Sequence, residues 1–182
     1  MSETSRRYRK VADGFTRRVE QIPEGAWDNP APCEGWVARD VVDHLEWMPS
    51  LVLGGAGIPI PPAPSAADDP VGAWTVIDGA LQRVLDDPEL AAREFDSPAG
   101  HFTVERAIAT LCIGDVLVHT WDLARATGLD ETLDPDEVHG LFLGMEAVDQ
   151  LLRDSGQYGP KVEVPDDADE QTKLIAFSGR QP

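Results

Sequence analysis

Apolar residues recur along most of this chain at steps of three and four, the period of a helix with one face turned inward. Tyr8, Val11, Ala12, Phe15, Val19 and Ile22 form the first such stripe, which Pro23 and Gly25 close. A turn-rich segment from Trp27 to Trp36, with Pro30, Pro32 and Gly35, leads to a second stripe of Val37, Val41, His44, Leu45, Met48 and Val52. Pro49 predicts a kink or an early end to that helix, because proline lacks the backbone donor and crowds the preceding turn. Gly54 to Pro70 holds too many glycines and prolines for a regular element and reads as a long loop.

A third helix is predicted over about Val71 to Leu85, with Trp74, Ile77, Leu81 and Val84 on one face and Asp86-Asp87-Pro88 closing it. Glu94 to Thr103 alternates around Pro98-Ala99-Gly100, which suits a short hairpin or an extended connection. Thr103 is placed to cap the longest helix, which runs to Ala126 and stops at Gly128. A fifth helix covers about Pro135 to Arg153, opened by Asp134 and by proline at its first position. An acidic stretch, Val164 to Glu170, precedes the apolar run Leu174 to Phe177, which is expected to dock back on the helices. Strand signals are scarce and no solenoid repeat occurs, so the reading is an all-α bundle of one domain, residues 1–182, with additional short helices and a short hairpin.

Charge narrows the partners. A formal net charge of -18 argues against nucleic acid and against an anionic membrane, which are gripped by clustered Lys and Arg. Arg6, Arg7, Arg9, Lys10, Arg17 and Arg18 do crowd the first helix, where they read as a solvated face. No stretch suggests a membrane span and the charged N-terminus lacks the apolar core of a signal peptide, so a cytoplasmic protein is expected. Cys33 and Cys112 form no C-x-x-C and predict no disulfide framework. A chain of this length buries roughly 70% of its unfolded surface without staples, so any metal is expected to be functional.

Asp115 and His119 stand four residues apart in the predicted fourth helix. Four steps of about 100° leave the two side chains within roughly 40° of each other on one face. That face also carries Ile108, Leu111 and Cys112, so the pair points inward, where a carboxylate and an imidazole are costly unless paired or metal-bound. His44 lies on the apolar stripe of another helix, from which packing could bring it opposite. Two imidazoles and one carboxylate would make a divalent-metal site with positions left open for water or substrate. From spacing alone a satisfied Asp/His polar pair serves equally well. Asp40, four residues before His44, is either a first-turn acid at the helix dipole or a partner orienting that histidine.

Other residues carry weaker signals. Cys33 is either a reactive thiol at a helix start or an inert one, and Cys112, one turn before Asp115, either packs or lines the site. His101 is an exposed turn residue or a fourth ligand, and His139 marks a helix edge. Trp121 reads as a core anchor, while Asp122 either supports a ligand or pairs with Arg125. Gly54-Gly55-Ala56-Gly57 lacks the lysine and spacing of a nucleotide loop, and no G-x-S-x-G nucleophile motif occurs.

Two segments resemble signatures of the DinB-like, mycothiol-dependent maleylpyruvate isomerase N-terminal superfamily. One is Pro32-Cys33-Glu34-Gly35-Trp36 with the following residues to His44-Leu45, and the other runs from Gly114-Asp115 through His119-Thr120-Trp121-Asp122 to Gly128. The closing Leu174-Ile175-Ala176-Phe177-Ser178-Gly179-Arg180 extends the similarity over nearly the whole chain, closest to an uncharacterised actinobacterial branch. The resemblance implies a DinB-like four-helix bundle, frequently a homodimer, with His44, Asp115 and His119 as ligands of zinc, or of nickel or iron(II). Asp115 stands where the characterised isomerase has glutamate. The implied activity is a metal-dependent thiol transferase or isomerase, taking a mycothiol-type low-molecular-weight thiol and a small electrophile, with the 54–70 loop lining or gating the pocket. The alternative is a non-catalytic metal-binding or stress-response bundle with a protein partner.

Overall fold

The N-terminal stripe folds as α1, Glu3–Gln21, whose start is fixed by the Ser2 hydroxyl accepting the Ser5 N–H at 3.1 Å. Tyr8, Val11, Ala12, Phe15 and Val19 are buried along it, as their spacing predicts. The computed structural model describes residues 1–98, 100–154 and 158–182. A 3-10 turn at Glu24–Ala26 leads into the connecting segment, and α2 follows over Ala38–His44. The Asp40 carboxylate accepts the Val37 N–H at 2.8 Å, so Asp40 takes the first-turn role.

The second helix ends at His44, five residues before the proline expected to break it. A turn at Leu45 and Glu46 separates it from α3, Trp47–Pro49, and a π-type turn then runs over Ser50–Gly54. Pro49 is tolerated because it falls in the first turn of α3, where backbone N–H groups have no helical partner to lose. The proline-rich segment carries no further helix until Asp69 caps α4, Pro70–Asp86, accepting the Gly72 N–H at 2.8 Å.

A single turn, α5, Pro88–Ala91, is followed by strands β1, Glu94–Ser97, and β2, Gly100–Thr103. They pair antiparallel with Phe95 opposite Phe102, both buried, which bears out the hairpin; Ala99 of its turn lies outside the described residues. Thr103 caps α6, Val104–Ala107, which passes through a π-type turn at Ile108–Cys112 into α7, Ile113–Thr127. Gly128, with φ +70°, ends α7 in the left-handed conformation that glycine adopts without a side-chain clash. The fifth predicted helix is divided: α8, Pro135–Ala147, stops where Val148 leaves helical geometry, and α9, Asp149–Asp154, starts again. Asp149 there binds Arg153 and Lys161, which anchors the new turn. The terminal run forms α10, Glu170–Phe177, which packs on α8.

The fold is thus predominantly helical with one small hairpin. α1 lies against both α4 and α7, and α2 contacts the same two helices. Tyr8, Phe15, Trp74, Leu81, Ile108 and Trp121 are among the large side chains buried between them. Contrary to the expectation that no stretch suggests a membrane span, the continuous helical stretch Val104–Thr127 contains a window of 18 residues apolar enough, by length and composition, to cross one. Of that window 72% is buried inside the protein, so its apolar character is spent on the other helices.

Candidate metal centre

His44 closes α2, and Asp115 and His119 lie one turn apart on α7, the helix against which α2 packs. The contact brings the three together, with one ligand atom of each within 4.8 Å of the others. His44 Nε2 is 3.4 Å from Asp115 Oδ2, and His119 Nε2 is 3.5 Å from Oδ1. Both distances exceed the 2.7–3.2 Å of an ordinary N–H···O hydrogen bond. The two imidazoles stand back from different oxygens of the one carboxylate, near the donor–donor separation of about 3.4 Å that metal bonds of about 2.1 Å give. The donor set, two imidazole nitrogens facing one carboxylate within 4.8 Å of one another, fits a divalent cation in its chemistry.

The surroundings hold these groups in place. Trp47 Nε1–H donates to Asp115 Oδ2 at 2.9 Å, a contact that depends on the turn between α2 and α3. The Trp36 ring lies 5.9 Å from His119, nearly parallel at 17°, and 5.1 Å from His44. His119 is buried with its side chain 6% exposed, whereas those of His44 and Asp115 are 34% and 22% exposed. The site thus opens to solvent on the His44 side rather than lying inside the core, as the apolar stripe around His44 suggests.

Behind His119, Asp122 is fully buried and its Oδ2 lies 2.8 Å from Nδ1. That oxygen sits off the ring N–H direction, so Nδ1 lacks an aligned hydrogen bond. Arg180 grips the same carboxylate through Nε and Nη2, both at 2.7 Å. Burial raises the pKa of Asp115, but the two flanking imidazoles outweigh it and hold the carboxyl well below its usual range. Burial pulls His119 down, yet Asp115 and then Asp122 outweigh it and hold the imidazole up at about 9. Asp122 is likewise held low against its own burial by His119 and Arg180.

A second group of three potential ligands, Cys33, His119 and Asp122, shares the same imidazole. Arg180 Nη2 lies 3.5 Å from Cys33 Sγ and 2.7 Å from Asp122 Oδ2, so a guanidinium already touches two of the three. Burial and the Asp122 charge push the Cys33 thiol up to about 11, against the opposing pull of Arg180, which favours the thiol over the thiolate. Cys112 is fully buried and stands in neither group. His101 pairs with Asp96 and Glu94 on the hairpin, and His139 with Glu170, so neither belongs to the centre. Asp122 pairs with His119 and Arg180, while Arg125 binds Glu131 and stacks over Trp121. The proline-rich loop lines a separate cavity of about 370 Å³ with Pro49, Ile60, Pro64 and Ile77, and none of the three candidate ligands borders it.

Spacing alone did not single out Trp36, Trp47 or Arg180. Trp36 and Arg180 lie within segments that carry the family resemblance, but their roles depend on which helices meet.

Fold and site together define a predominantly helical protein with a two-histidine, one-carboxylate cluster between packed helices. The chain belongs to the mycothiol maleylpyruvate isomerase N-terminal domain family, whose model matches residues 8–124 and so includes His44, Asp115 and His119. It is also similar to two proteins of Mycobacterium tuberculosis, "Uncharacterized protein Rv0738" of strain H37Rv and "Uncharacterized protein MT0763" of strain CDC 1551. Each is 27% identical over 175 residues, 95% of this chain and 95% of its own length. No solved structure matches the chain significantly.

Proposed function

We propose that this protein holds a divalent cation, zinc in the first instance, through His44, Asp115 and His119. On that basis it acts as a metal-dependent thiol transferase or isomerase on a small electrophile. The observation that carries the reading is the pair of Nε2 atoms 3.4 and 3.5 Å from the two oxygens of Asp115. A divalent ion bound there supplies Lewis acidity, which makes the thiolate of a low-molecular-weight thiol available at neutral pH, where a free thiol of pKa about 8.5 is mostly protonated. The chain's own groups do the positioning. Asp122 holds the Nδ1 side of His119, Trp47 fixes one Asp115 oxygen, and Trp36 covers the two imidazoles. The exposed edge of His44 leaves room for thiol and electrophile to approach. The family membership supports a mycothiol-type thiol.

The same reading takes α1, α2, α4 and α7 as the four helices of a DinB-like bundle, supported by their mutual contacts. It includes a homodimer, which the exposed Leu143, Val148 and Leu151 along α8 and α9 support.

Elemental analysis of protein purified without a metal-chelating tag tests the site. A stoichiometric divalent ion is expected in the native chain and its loss in His119→Ala; equal trace metal in both removes the reading. The metal-loaded protein, mixed with mycothiol and a panel of unsaturated or chlorinated electrophiles, is expected to turn over faster than the metal-free form. Stoichiometric metal without turnover on any of them leaves the non-catalytic bundle.

A further inference from the structure

His119 offers two nitrogens to two overlapping ligand sets. Nε2 lies 3.5 Å from Asp115, which His44 also flanks, and Nδ1 lies 2.8 Å from Asp122, whose Oδ2 is 3.7 Å from Cys33 Sγ. Each set has His119 and one carboxylate, and the second offers a cysteine sulfur where the first has the His44 imidazole, a donor that zinc and cobalt also accept. What distinguishes the two sides is Arg180. Its guanidinium takes both Asp122 oxygens at 2.7 Å and lies 3.5 Å from Cys33 Sγ, with its side chain only 14% exposed. Two of the three potential ligands on the Nδ1 side are therefore already in contact with a permanent positive charge. Asp122, kept in that bidentate grip, remains free to meet Nδ1 but not to take an ion.

We propose that Arg180 is a positioning residue that decides which side of His119 carries the ion: by filling the Cys33–Asp122 side it confines the cation to Nε2, with His44 and Asp115. The inference rests on the metal reading above. It extends that reading to a residue outside the 8–124 segment matched by the family model. Removal of the guanidinium is expected to free the Asp122 carboxylate and the Cys33 sulfur together. The Cys33 thiol would then release its proton to solvent as it binds the ion.

Cobalt(II) titration of the metal-free protein reads the two sides apart, since a thiolate ligand adds a near-ultraviolet sulfur-to-cobalt charge-transfer band that imidazole and carboxylate ligands lack. Wild-type protein is expected to bind cobalt without that band. Arg180→Met, which keeps much of the side chain's length, is expected to show it, and Arg180→Met with Cys33→Ser to lose it again. Arg180→Lys, which retains a positive charge beside Cys33, is expected to lack the band and to bind about tenfold more weakly than wild type through the looser Asp122. A folded Arg180→Met protein that binds cobalt without the band overturns the proposal, and so does a thiolate band in the wild type, whether or not the variants fold. Wild-type protein that binds no cobalt at all sinks the metal reading itself, a result distinct from both.

Discussion

Asp115 has three donors around it: the Trp47 indole at 2.9 Å on Oδ2, His44 at 3.4 Å on the same oxygen, and His119 at 3.5 Å on Oδ1. The indole contact is the only one of the three within about 3.2 Å, so Trp47 fixes the carboxylate while the imidazoles stand farther back. Trp47→Phe keeps an aromatic ring, though a smaller one, and removes the donor. It is expected to weaken metal binding by about tenfold and to cost the metal-free fold roughly 1–2 kcal/mol, read by calorimetric titration and by urea denaturation. Unchanged affinity would mean that the carboxylate is held by its helix alone. Trp47 also shows where sequence reading stops. Asp115 and His119 are legible because helical spacing fixes their relation within one element, and His44 because it shares an apolar stripe. Trp47 contributes from beyond a turn at Leu45 and Glu46 that no proline or glycine announces.

At the scale of elements, α10 matters for the residues just past its C-terminus. Gly179 has φ +88°, and a Cβ there would lie 3.2 Å from the Gly159 backbone. The chain needs both the left-handed turn and the close approach to deliver Arg180 to Asp122. Gly179→Ala is expected to destabilise by at least about 1–2 kcal/mol from the conformation alone, and to weaken metal binding as Arg180 is displaced. Chemical denaturation and metal titration of the same sample check both halves. The α1–α4 contact carries a different cost. Burial, seconded by Asp13, raises the Asp78 pKa above its ordinary 3.8 against the opposing effects of Gln82, Tyr8 and Arg9. The fold therefore disfavours the ionised form, a penalty complete above the folded pKa and absent once pH falls below the unfolded value of about 3.9. Asp78→Asn is expected to raise the urea midpoint at pH 7, with the gain shrinking as the pH approaches about 4. A loss at both pH values would show that the Asp78 to Gln82 hydrogen bonds matter more. Neither feature could be read from helical periodicity, which locates α1, α4 and α7 well but says nothing of which polar groups their contacts trap. For the same reason the break in 135–154 is not legible and that in 38–54, expected at Pro49, falls five residues earlier, since apolar spacing continues across both.

Across the whole molecule, 33 acidic residues face 15 basic ones. Many of the basic groups are already committed: Arg7 to Glu137, Lys10 to Asp134, Arg18 to Asp130, Arg39 to Asp28, Arg180 to Asp122. The surplus acids repel one another over distances set by the ionic strength, about 30 Å at 0.01 M and about 8 Å at 0.15 M. Raising salt over that range is expected to raise the melting temperature, by about 2–4 °C for each kcal/mol of repulsion relieved. A fall in melting temperature would mean that the ion pairs, rather than the surplus, govern stability.

The ion pair between Asp122 and Arg180 spans 58 residues of chain, and that separation has a consequence for biosynthesis. His44, Asp115, His119 and Cys33 all leave the ribosome well before the guanidinium does. A nascent chain is thus expected to present the Cys33 sulfur and the Asp122 carboxylate unguarded until Arg180 has emerged behind them.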